Sequence, residues 1–130
     1  MGRPFMAAIV GVLVAGSVIA LAQGVNSLVF PLPEGTDIED LDVMAELLRN
    51  MPSGAVVGLL LGYLLGGMAG GATARTLGRS VGPAWAVGIV ITLSGFANIA
   101  MLPHPLWLAV ATTVVHLPAA LLGARLAGGR

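Results

Sequence analysis

Few side chains in this sequence could do chemistry, and those few stand at one depth. His116 is the one group of a type that titrates near neutral pH in the middle of a long apolar segment, about halfway between Pro105 and Arg125. An ionisable residue so placed is a candidate functional site by default. Counted at about 1.5 Å of rise per residue, Tyr63, Ser94 and Ser17 reach the same depth in three other apolar segments, with Thr112 and Thr113 one turn further out. This layer could be a polar passage, a ligand site, or a set of hydrogen bonds between helices or to backbone carbonyls.

A neutral imidazole beside the small residues Ala119, Ala120 and Gly123 could also hold the metal of a haem or chlorophyll-type pigment. Bis-histidine ligation within the chain fails on geometry. His104 precedes His116 by 12 residues, or about 18 Å along one helix. His104, between two prolines and near Trp107, reads as a helix-start and interface feature. The expectation is no cofactor, with a tetrapyrrole at His116 as the competing reading. No metal-ligand spacing, Ser-His-Asp set, paired carboxylates or phosphate loop appears, and no enzyme activity is expected.

The elements that position these residues follow from composition. Of 130 residues 57% are hydrophobic and 9% charged, against about 25% charged in a soluble domain. The chain reads as an integral membrane protein. A formal charge of zero, with no basic arm, argues against nucleic acid as a partner. Cysteine is absent, which excludes disulfides and thiol-based chemistry.

A membrane-crossing helix needs about 20 apolar residues, and the chain offers four such spans: 5–30, 54–74, 81–102 and 105–127, with a connection over 31–53. The expected fold is a single all-α domain over 1–130, a four-helix transmembrane bundle. The first span has some look of a secretory signal, but its run from Phe5 to Ala22 is 18 residues, longer than a usual signal core. Arg3, Arg75, Arg79, Arg125 and Arg130 lie at the two termini and the second connection, so both termini are expected in the cytoplasm and the acidic first connection outside.

All six carboxylates fall in that first connection. Thr36 or Asp37 reads as the cap of a helix running to Met51 and ended by Pro52. Leu41, Met44, Ala45, Leu48 and Met51 share its apolar face, while Asp40 breaks the pattern. An acidic amphipathic helix suits a cap over the bundle or a docking surface for protein better than it suits anionic lipid.

The second span carries glycine at every fourth position: Gly54, Gly58, Gly62, Gly66 and Gly70, with Gly67 and Gly71 as a second edge. Each glycine costs a helix in water about 1 kcal/mol relative to alanine. Within lipid, small residues four apart let backbones approach closely, and the drift of the stripe favours a right-handed crossing. The spacing leaves open whether the partner helix belongs to this chain or to another.

Asn98, Gln23 and Asn26, near the outer ends of their spans, read as structural. "PLPEG" and "MPSGA" flanking an acidic stretch, a glycine-rich second span and "NIAMLPHPLWL" together resemble small bacterial four-span proteins without an assigned activity. The likeness covers nearly the whole chain and implies a bacterial inner-membrane location. Small multidrug exporters differ in carrying a first-span glutamate, and fluoride channels in an Asn- and Gly-rich signature. The expected function is a noncatalytic accessory or assembly subunit that binds other membrane-protein subunits or itself through the glycine face and the acidic helix. The alternative is a small oligomeric channel or transporter built on the His116 layer.

Overall fold

A computed structural model describes residues 2–129, so Arg130, counted above in the charge asymmetry, lies outside the described residues. All regular structure among them is helical: α1 Gly2–Val29, α2 Leu41–Arg49, α3 Ser53–Gly78, α4 Gly82–Met101, α5 Leu106–Val114 and α6 His116–Gly128. Four helical stretches are long and apolar enough to cross a membrane: α1, α3, α4, and α5 with α6 taken together. The chain is an all-helical bundle of the class its composition predicts.

The fourth span is broken where proline predicts. Pro118 has no N–H to offer the Val114 carbonyl. α5 ends at Val114 and α6 starts at His116, with the ladder resuming at the Ala119 N–H to Val115 carbonyl bond of 3.1 Å. The break sets His116 as the first residue of α6.

α3 is the centre of the bundle, with α1 on one side and α6 on the other, while α4 packs across all three. Its core is made of small side chains: Ala15, Ala74, Val87, Ile91 and Ala120 form one cluster, joined by Val12 and Ile19. Among the described residues, the only larger side chains buried completely are Leu108 and Val87. Such a core depends on short distances between backbones more than on side-chain volume.

The connection between α1 and α3 differs from its sequence reading. α2 starts four residues later than expected and is capped by Asp40, whose carboxylate accepts from the N–H groups of Asp42 at 2.9 Å and Val43 at 3.3 Å. Asp40 breaks the apolar pattern because it is the cap. Thr36 donates to the Pro33 carbonyl at 2.6 Å, and Asp37 accepts from the Glu39 N–H at 3.0 Å, so both serve turns before the helix. Gly35, with φ of 77°, takes the left-handed conformation that this turn requires.

Candidate functional site: a buried imidazole and two small-residue faces

The chemistry-bearing residues of the sequence do not form one layer. Ser17 is exposed on α1 and donates to the Leu13 carbonyl at 2.8 Å. Ser94 is exposed on α4 and donates to the Val90 carbonyl at 2.9 Å. Thr73, Thr92, Thr112 and Thr113 likewise donate to carbonyls four residues back. A hydroxyl bonded within its own helix needs no neighbour and is compatible with a lipid-facing position. The four-residue polar layer therefore reduces to two members, Tyr63 and His116.

Those two meet edge to face, with ring centroids 4.7 Å apart. Three helices build the site. On α3, one turn beyond Tyr63, Gly67 lets α6 approach: a Cβ there would stand 2.7 Å from the Ala119 Cβ and 3.3 Å from the His116 carbonyl oxygen. On α4, Gly95 leaves room for the ring, since its Cβ would stand 3.3 Å from His116 Nε2. On the third side, His116 itself is 3% exposed and its Nδ1 has no hydrogen-bond partner. An unpaired buried polar atom costs about 1–3 kcal/mol, so among the described residues the imidazole is the one polar group whose placement packing alone does not explain. Among the described residues no group of three or more His, Cys, Asp or Glu could hold a metal ion.

The glycine face of α3 is occupied from within the chain. Substituted with a Cβ, Gly54 would meet the Phe30 ring at 2.5 Å, Gly62 the Ala22 Cβ at 2.8 Å and Gly70 the Gly11 carbonyl oxygen at 2.5 Å. Gly58 would collide with the Asn26 side chain and Gly66 with Ile19. The second edge faces α6, where Gly71 would collide with the Ala120 carbonyl and, reciprocally, Gly123 of α6 with that of Met68. Carbonyls aimed at glycine Cα atoms recur on both edges, the geometry of weak Cα–H···O contacts. The amides of Asn26 and Gln23 clamp the acidic end of the α1–α3 contact, donating to the Ala55 carbonyl at 3.0 Å and the Leu59 carbonyl at 3.5 Å. The side of the stripe that the sequence left open is thus settled as α1.

The α1 partner stripe, Ala7, Gly11 and Ala15, escaped the sequence reading although it has the same four-residue spacing and all three residues are buried. A second stripe on α1 has the opposite environment. Gly16, Ala20 and Gly24 are exposed, and a Cβ at Gly16 or Gly24 would meet nothing within 4 Å.

Of the proposed outer docking residues, Leu48 is buried, Met44 and Met51 are half-buried, and Leu41 is exposed. The first three turn inward, so three of the four are not presented outward. No Cα of α2 lies within 8 Å of a Cα in another helix. Its side chains roof a cleft of about 1100 Å³ with Gln23, Asn26, Phe30 and Leu59. A second cleft, of about 730 Å³, opens at the other end of the bundle between α4 and α6. Neither cleft is lined by Tyr63 or His116.

No family model, curated protein or solved structure matches the chain.

Proposed function

We propose that the protein is a noncatalytic subunit of a membrane assembly, associating laterally through the open small-residue face of α1. The observation that carries this reading is the empty space at Gly16 and Gly24, set against the filled space at Gly11 on the same helix. In lipid a lone apolar helix face gains nothing from being smooth, whereas a helix packing against it gains close van der Waals contact. The α3 glycines, which the sequence offered for this task, serve the fold, so the association surface moves to α1. The partner is another membrane-protein subunit or a second copy of the chain, in a bacterial inner membrane with both termini in the cytoplasm. The test is to extract the protein gently from its own membrane and record its native mass: Gly24→Leu should remove the partner mass and Gly24→Ala should retain it.

A second reading rests on the unpaired Nδ1 of His116. If the Tyr63–His116 pair belongs to a channel or transporter, His116→Ala abolishes flux in reconstituted vesicles and leaves the partner mass unchanged. In a subunit of purely structural role, the same variant assembles normally and no flux exists to lose.

A further inference from the structure

The cleft between α4 and α6 lies at the end of the bundle opposite α2, and no carboxylate side chain stands among its lining residues. Arg75, in the last turn of α3, and Arg125, in the last turn of α6, both line it. Gly128 lacks the side chain that would displace the first of them: a Cβ there would stand 2.5 Å from Arg75 Nε and 3.1 Å from a terminal guanidinium nitrogen. Val81, immediately before α4, also lines the cleft, which brings the positive end of that 20-residue helix to the same place. Every carboxylate side chain of the protein lies between Glu34 and Glu46, at the other end. The remaining wall is apolar, with Trp85, Pro118 and Leu122 running from the basic rim toward the middle of the bundle.

From this arrangement we infer that the cleft binds an anionic phospholipid, its phosphate between Arg75 and Arg125 and an acyl chain along Trp85, Pro118 and Leu122. Arginines at helix carboxyl ends also offset the helix dipoles and reach the membrane surface. Those roles require neither that two guanidiniums from different helices share one cleft nor that the cleft continue as an apolar trough beside an indole. A basic recess between membrane helices is suited to a lipid headgroup, because charge and apolar wall match the two parts of one molecule. A soluble phosphate would use only the rim.

The protein has two tryptophans, and only Trp85 lines the cleft, so each can report separately. The Trp107→Phe variant is reconstituted in vesicles of phosphatidylcholine and phosphatidylglycerol of fixed composition, with bromines placed near the headgroup end of the chains on one lipid or the other. Trp85 fluorescence should be quenched more when the anionic lipid carries the bromines, corresponding to a preference on the order of tenfold for two arginines. Arg125→Gln, a change at an exposed side chain, should lower that preference several-fold, and Arg75→Gln with Arg125→Gln should bring it to within about twofold of none. Arg79→Asn, outside the cleft, should leave it unchanged, as should excess inorganic phosphate. Trp85→Phe, which leaves Trp107 as reporter, should show no preference. Equal quenching by the two brominated lipids would overturn the assignment. So would an equal loss in Arg79→Asn, which would mean general surface charge, or displacement by phosphate, which would mean that the acyl chain contributes nothing.

Discussion

Two stripes of small residues, one on α3 and one on α1, have the same spacing and opposite surroundings. From Gly58 to Gly71, α3 meets a neighbouring atom wherever a Cβ would stand, several of them backbone carbonyls. Gly16 and Gly24 of α1 meet none. A four-residue period of small side chains thus specifies that a helix can be approached closely, and the rest of the fold decides whether the approach is already made. Within α1 the contrast is sharper: Ala7, Gly11 and Ala15 are buried against the bundle, while Gly16, Ala20 and Gly24 turn away from it.

Substitutions at the two stripes should therefore differ in cost. The largest effect is expected from Gly71→Leu, which must separate α3 from the Ala120 backbone, where no side chain can give way. Overpacking in a close-packed interior typically costs about 1–3 kcal/mol, and collision with backbone belongs at or above the top of that range. The variant should melt far earlier in detergent or fail to accumulate in the membrane.

His116 is buried between α3 and α4 without belonging to either stripe. Replacing it with Leu removes a buried nitrogen that has no partner and keeps the ring space filled, so stability should change by less than about 1.5 kcal/mol. Thermal unfolding followed by circular dichroism checks this. A much larger loss would show that Nδ1 is bonded in the protein's native surroundings.

A smaller and local effect is expected from Asp40→Ala. It removes the cap of α2 at a cost of about 1 kcal/mol, visible as faster amide exchange over Leu41–Arg49 with the spans unchanged. Gly16→Leu should alter stability least, by about 0.5 kcal/mol or less, as expected for a site with no neighbour.

Much of the architecture was legible in the sequence because lipid imposes it: four long apolar segments leave the backbone little choice but helix. The interruption before α6 has a local cause, since Pro118 has no N–H for the Val114 carbonyl. The start of α2 was misplaced because Thr36, Asp37 and Asp40 are all competent caps, and the choice depends on the turn at Gly35. The polar layer was misread for a related reason. Depth along a helix can be counted, but Ser17 and Ser94 stand at the right depth on the wrong faces, and facing is a property of tertiary packing. Tyr63 and His116 were brought together by Gly67 and Gly95, which no count of depth reveals. The cleft at Arg75 and Arg125 was hidden because the two arginines line one recess only when the ends of α3 and α6 pack side by side.

Whether α3 is spent on the fold and α1 is left for assembly is decided by a native mass spectrum of the protein from its own membrane beside that of Gly24→Leu. The unaltered protein should run as a defined complex, hetero- or homo-oligomeric, and the variant as a folded monomer. A bare monomer in both samples, or the same complex in both, would contradict this division of roles.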